Sequence, residues 1–208
     1  MSEHENPHGL DWDERYGDGQ LWSGHANEQL VVEASNLEPG TALDVGAGEG
    51  ADAIWLAERG WQVTAIDVSA KALDRASRAA AAAGLAVDWR AIALEDLENS
   101  PAASTYGLVS VFYPALLRGD GTIIETLLAR VAPGGLLLVV HHSHVDRERA
   151  AEHGFDPDDY VRHKDLIAAL TDRDGWEIDV VEKRGRTAPE GPGAHHHSDH
   201  VLRARRSG

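Results

Sequence analysis

Three groups of residues in this chain have types and spacings suited to chemistry. The first is "LDVGAGEG" (43–50), where Asp44 stands inside an apolar run that breaks into Gly46, Gly48 and Gly50. Glycines there permit left-handed backbone and let a ligand reach the main chain without meeting a Cβ. Free N–H groups at the start of a following helix favour a carboxylate or phosphate. The second is Asp67, closing the next apolar run about 20 residues on, where an acid can grip a ribose diol. A dinucleotide fingerprint reads G-x-G-x-x-G, whereas glycine here recurs at every second position. Asp44 discriminates further: an acid beside the turn suits a positively charged ligand and disfavours a pyrophosphate, while a turn-capping carboxylate would look the same in sequence.

The third group is histidine, of which the chain has 12. "HHSH" holds His141, His142 and His144, and "HHHSDH" holds His195, His196, His197 and His200. Neutral imidazole titrates near physiological pH, so these rings could serve as a general base. They could equally bind a metal or an oxyanion, or be idle loop residues. His142 and His197 are the best placed for a base.

The elements that must position these groups follow from hydrophobic periodicity. "TALDV" (41–45) reads as a buried strand and "ADAIWLAERG" (51–60) as an amphipathic helix stopped by Gly60. "WQVTAID" (61–67) is strand-like, and Ser69 caps an alanine-rich helix that ends at Gly84. "LAVDWRAIAL" gives a third strand and "YGLVSVFY" (106–113) a fourth. A helix follows through Ile123, Ile124, Leu127, Leu128 and Val131. "APGG" turns it into "LLLVV" (136–140), apolar throughout and therefore expected at the centre of a parallel sheet covered on both faces. "HKDLIAALT" reads as a helix, and "WEIDVVEK" and "HVLRARR" as a late strand pair joined by a long Gly-, Pro- and His-rich loop. A helix over "HANEQLVVEASN" precedes the first strand. Alternating strands and helices with a terminal hairpin predict a three-layer α/β/α sandwich with right-handed crossovers. Strands five and seven side by side would bring both histidine clusters to one sheet edge.

Composition narrows the function classes. At 208 residues one domain with a full core is expected. The formal net charge is −16, from 35 acids against 19 bases, which repels phosphate backbones and makes nucleic acid an unfavourable partner. A small-molecule partner fits better. The absence of cysteine excludes disulfides, thiolate zinc sites and cysteine nucleophiles. No apolar run approaches the roughly 20 residues of a membrane span. The opening residues are acidic and polar, the reverse of a signal or transit peptide, so a cytoplasmic location is expected.

With these residues in hand, the chain resembles the class I S-adenosylmethionine-dependent methyltransferases over about residues 10–206. "LDVGAGEG" looks like their first motif, "VTAIDVS" their second, and "ARVAPGGLLLVV" the helix–turn–strand before the active-site edge. "WDERY…LWSG" and "HHHSDHVLRARR" resemble a small bacterial subgroup similar to tellurite-resistance and thiopurine methyltransferases. The resemblance implies a Rossmann-like, seven-stranded sheet in the order 3-2-1-4-5-7-6 with strand seven antiparallel. It also implies an N-terminal cover and helix over residues 1–36 and a cofactor-binding body over 37–208, together one domain, as a monomer or homodimer.

It further implies that Gly46, Ala47, Gly48 and Gly50 face the methionine part of S-adenosylmethionine, with Asp44 toward its positive charge. Asp67 would bond the ribose, Val68 would pack on adenine, and the Leu94 backbone N–H would meet the adenine edge, with Glu95 or Asp96 as the acceptor. Phe112 and Tyr113 would lie near the sulfonium, Tyr113 as a candidate catalytic residue with His142 and His197. Trp12, Arg15, Tyr16 and Trp22 match the cover. Two positions depart from the pattern: Ala93 replaces the acid expected to accept from adenine, a loss of about 1 kcal/mol, and Gly107 replaces an acid at the start of strand four. The reading that follows is methyl transfer to a small thiol, thiopurine-like, metalloid oxyanion, hydroxyl or amine acceptor. A cofactor-binding module without turnover and an NAD-dependent reductase are the alternatives.

Overall fold

The computed structural model describes residues 11–99, 104–148, 156–187 and 196–208. At its centre is a seven-stranded sheet in the order β3-β2-β1-β4-β5-β7-β6. The strands are β1 (Thr41–Val45), β2 (Gln62–Asp67), β3 (Asp88–Ala91), β4 (Tyr106–Phe112), β5 (Val131–His142), β6 (Trp176–Gly185) and β7 (Ser198–Arg206). β7 runs antiparallel to both its neighbours, and the pairs from β3 through β5 are parallel. This is the class I methyltransferase order that the resemblance implied.

Helices α1 (Trp12–Tyr16) and α2 (Glu28–Ala34) precede β1, followed by α3 (Ala51–Glu58), α4 (Ala70–Ala82), α5 (Thr122–Ala129) and α6 (His163–Leu170). Side-chain alternation along the strands feeds two cores. Leu43, Val45, Val109, Val111, Leu137 and Val139 pack with α5 and α6. Ala42, Leu108, Leu136, Leu138 and Val140 pack with α2 and α3 on the other face. β5 is buried on both sides from Gly135 through Val140, as its unbroken apolar run requires.

Local signals work where they were expected. Ser69 Oγ accepts from Ala72 N (3.1 Å) to start α4, and Gly84 (φ +71°) follows its end. Three boundaries differ from the sequence expectation. Val131, expected to close α5, opens β5 instead, because Tyr106 N donates to Arg130 O and Val131 pairs with Tyr106. β3 is only four residues long, because Leu94 turns inward and begins a 3-10 turn over Glu95–Asn99. α2 starts at Glu28, since the Asn27 N–H and side-chain amide both donate to Asp52 (2.7 and 2.6 Å).

The far end of α2 is held by charge. Glu33, nearly buried, accepts from Arg184 of β6 and Arg203 of β7 (2.5 and 2.7 Å). Among the described residues no helix is long and apolar enough to cross a membrane.

Candidate functional site

A cleft of about 1890 Å³ opens over the carboxyl ends of β1, β2, β4 and β5. That exceeds the roughly 300–1,000 Å³ of a single-ligand pocket, leaving room for two molecules side by side. The glycine turn forms its floor. Gly46 N and Ala47 N donate to Ile66 O (2.9 and 3.0 Å), which ties the turn to the end of β2. Asp67 reinforces the tie, its two oxygens accepting from Gly48 N and Ser69 N, each at 2.8 Å. Burial pushes the Asp67 carboxyl above its ordinary value, opposed by those two donors.

Gly48 has φ +52°, and a Cβ there would come within 2.6 Å of the Tyr16 hydroxyl from the N-terminal cover. Gly50 (φ +79°) begins α3, where a Cβ would meet Ala76 and Trp89 at 2.6 Å. The third glycine, expected to face a ligand, thus lines the cleft but is demanded by the packing of α3 on α4 and β3.

Asp44 lies beneath the turn, 2% exposed. One oxygen accepts from Ser110 Oγ (3.0 Å), and the other is buried without a hydrogen-bond partner. Burial, then the negative charge of Asp52, push the Asp44 carboxyl well up. A cationic group in the cleft would relieve both, because an orphaned buried acceptor costs about 1–3 kcal/mol. The residues therefore fit the ammonium end of S-adenosylmethionine.

The cover is fastened to this floor. Glu49, inside the glycine turn, accepts from Leu21 N and Trp22 N and from Arg75 (2.9–3.1 Å). Arg75 also donates to the carbonyls of Tyr16 and Gly17, and Asp13 accepts from Ser69 Oγ at 2.6 Å. Tyr16 is buried, which raises its phenol to about 12. Trp22 is 39% exposed, with Nε1 3.4 Å from the Tyr16 hydroxyl. Val68, Leu94 and Glu95 line the neighbouring wall, Leu94 buried and the other two exposed.

At the other end of the cleft the register of β5 against β7 sets His142 opposite Asp199. Asp199 is fully buried and takes two hydrogen bonds, from the Tyr113 hydroxyl (2.9 Å) and with His142 Nδ1 (3.2 Å). The His142 ring is stacked between Tyr113 (4.0 Å) and His196 (3.6 Å). Tyr113 has φ +50°, a strained value for a non-glycine residue that places its ring over the cleft. Burial raises its phenol far above the usual value, so it stays a neutral donor. Phe112, nearly buried, meets Tyr113 edge-on.

Of the two histidines expected to be best placed as a base, only His142 lines the cleft. His197 is exposed and outside the cleft lining, its carbonyl occupied by Arg186 N (3.0 Å). His196 takes the position against His142, and His195 lies outside the described residues.

His141, His163 and His200 sit on the opposite face of the same sheet edge. His163 is stacked 5.1 Å from His200 and edge-on 6.0 Å from His141. Burial first, then neighbouring imidazoles, lower His141 and His163 to about 4. His163 has no hydrogen-bond partner on either ring nitrogen. Among the described residues no group of three or more His, Asp or Glu is arranged to hold a metal ion.

Sequence reasoning missed Asp199, Glu49, Asp52 and His163. Asp199 stands between Ser198 and His200 near the start of β7, without the apolar flanks that marked Asp44. Glu49 and Asp52 gave no local signal, because their partners lie more than two dozen positions away in the chain.

Comparisons with known proteins agree with this geometry. Residues 42–135 match the family model of a methyltransferase domain. The tRNA 5-carboxymethoxyuridine methyltransferase of Escherichia coli K12 is 34% identical over 105 residues, 49% of this chain and 40% of that protein. The chain spans less than half the length of the curated relatives it matches. Among solved structures, a protein described for conversion of a disulfide bond into a thioacetal group during echinomycin biosynthesis superposes with TM-score 0.70. It is 23% identical, with 94% of this chain and 91% of that one covered. TehB from Haemophilus influenzae superposes with TM-score 0.64 at 15% identity, over 86% of this chain and 62% of that one, a likeness of fold that does not establish the subgroup. Fold, glycine turn and family match converge: residues 42–135 match a methyltransferase-domain model, and they sit in a sheet with the strand order of the Rossmann-like methyltransferase fold.

Proposed function

We propose that this protein transfers the methyl group of S-adenosylmethionine to a hydroxyl or amine of a small molecule, with His142 as general base. The observation that carries the reading is the buried Asp199 carboxylate shared between His142 Nδ1 and the Tyr113 hydroxyl. An acceptor oxygen or nitrogen must lose its proton, whereas a thiolate or a metalloid lone pair need not. A carboxylate on Nδ1 fixes the imidazole tautomer that keeps its lone pair on Nε2 and stabilises the imidazolium formed later. A module without turnover has no need of such a pair.

The cofactor, when bound, supplies an activated methyl on a sulfonium. Asp44 and the glycine turn would hold its amino-acid end, Asp67 its ribose, and Val68 with the 94–95 segment its adenine. Tyr16 and Trp22, clamped by Glu49, would exclude water. Tyr113 and Phe112 would shape the channel along which acceptor and methyl align. A small acceptor is favoured by the net charge of −16. The E. coli relative, named for a tRNA substrate, motivates an RNA arm in the test.

Purified protein with methyl-labelled S-adenosylmethionine would be offered phenols, amines, thiols, tellurite and bulk tRNA. Transfer to a phenol or amine, abolished by His142→Ala, is expected. Transfer to tRNA alone would overturn the small-molecule reading. Absence of any transfer, together with no S-adenosylhomocysteine binding in calorimetry, would remove the function altogether.

A further inference from the structure

Beside the His142–Asp199 pair stands a cation that the proposed transfer does not use. Arg186 follows β6, its backbone N–H bonded to His197 O, and its guanidinium lies 5.1 Å from the Tyr113 ring centre. The side chain lines the cleft. Its terminal Nη1 is buried with no hydrogen-bond partner, and the guanidinium is in no ion pair among the described residues. Its neighbours in sequence and space behave differently. Arg184, two residues earlier, is bound by Glu33 and Glu182, Arg203 by Glu33 and Asp179, and Arg147 and Arg162 by Asp158. Other arginines, Arg162 and Arg203 among them, also bury an unpartnered Nε, but in a chain with 35 acids and 19 bases a cleft-lining guanidinium with an open terminal nitrogen and no ion pair among the described residues needs a reason.

We propose that Arg186 docks an oxyanion of the acceptor, so that the substrate of the proposed methyl transfer is an anionic small molecule bearing a carboxylate or phosphate. The inference rests on that transfer only for the word substrate; the anion site stands on Arg186 itself. A guanidinium beside an aromatic ring still has N–H donors whose fork matches the two oxygens of a carboxylate or phosphate. Tyr113 touches both Arg186 and His142. The anionic group and the atom to be deprotonated would therefore lie within the span of one small molecule, held at two points. His163 and His141, each with a buried ring nitrogen that has no partner, line the same cleft from the other face of the sheet edge. Outside the cleft, the acidic surface would repel such a substrate, so recognition must be concentrated at this point.

The test is a binding measurement and does not depend on turnover. Protein saturated with S-adenosylhomocysteine would be titrated calorimetrically with benzoate, phenyl phosphate and neutral benzamide. At least one anion is expected to bind tenfold or more tighter than benzamide, and the tighter of the two identifies the oxyanion. Arg186→Gln should reduce that preference below twofold with unchanged S-adenosylhomocysteine affinity, and Arg186→Lys should retain part of it. Equal binding of anions and benzamide would overturn the inference, as would a preference that survives in Arg186→Gln. Should the Gln variant lose cofactor-product binding, the Lys variant decides: full retention of the preference supports a charge site, and none refutes it. Efficient methylation of neutral acceptors only would refute the anion site while leaving the methyl-transfer reading intact.

Discussion

Replacing Asp199 by Asn tests the proposed base most directly. The carboxylate is fully buried and holds two hydrogen bonds, one with His142 Nδ1 and one from Tyr113. Asn keeps the volume but removes the charge and substitutes an amide donor on one side. If the amide N–H₂ turns to His142, Nδ1 must accept, and the proton moves to Nε2, where the base is needed. General-base catalysis contributes about 10²–10⁴-fold, or roughly 3–5 kcal/mol of barrier. Hydrogen bonds to a charged partner contribute about 1.5–3 kcal/mol each, and Asn retains one, so a stability loss of about 2 kcal/mol is expected. For a chain of this length that is about 4–8 °C in Tm. The assay is steady-state methyl transfer to a hydroxyl or amine acceptor at saturating cofactor, with a thiol acceptor ionised in solution as control. The expected result is a kcat loss of about 100-fold or more for the first and under about threefold for the second, at constant cofactor KM. Equal losses on both acceptors would mean that Asp199 serves the architecture alone, and a kcat loss under threefold on the hydroxyl or amine would refute the base.

Asp44→Asn should act in opposite directions on two readouts. Removing a buried charge with an orphaned oxygen raises the Tm of the free protein, while S-adenosylhomocysteine affinity falls about tenfold or more by calorimetry. Glu49→Ala frees Leu21, Trp22 and Arg75, so the N-terminal segment should become sensitive to limited proteolysis and cofactor affinity should fall about tenfold. His141 and His163 are held near 4 by burial, below the ordinary 6.5, so the unfolded chain binds protons first. Their contribution to stability is therefore complete above pH 6.5 and declines as pH falls toward 4. The raised carboxyls of Asp44, Asp52 and Asp67 act with the opposite sign. Thermal melts of His141→Leu/His163→Leu against the parent chain separate the two: the variant should lose less Tm between pH 7 and pH 5.

The individual strands, the glycine turn and the capped alanine-rich helix were legible because each rests on short-range rules, whereas the strand order came from the family resemblance. Alternation, a missing Cβ and an N-cap are written within a few residues, and "LLLVV" announces a doubly covered strand by itself. The same local logic singled out Asp44 and Asp67, which the structure brings to the glycine turn. Gly50 lines the cleft, but its packing role was not legible, because the side chains of Ala76 and Trp89 that exclude a Cβ there come from α4 and β3.

What tertiary structure alone decided is the arrangement at the proposed catalytic edge. The sequence brought two histidine clusters to one place but did not say which ring meets which. That depends on the register of β5 against β7, where His142 faces Asp199 and His141 faces His200. Side chains alternate between faces, so a slip of one residue would exchange the acid for an imidazole and dismantle the pair. The register follows from the burial of Val139, Val140, Val201 and Leu202 on the two sides of the sheet, a long-range packing requirement that no single stretch of the chain contains.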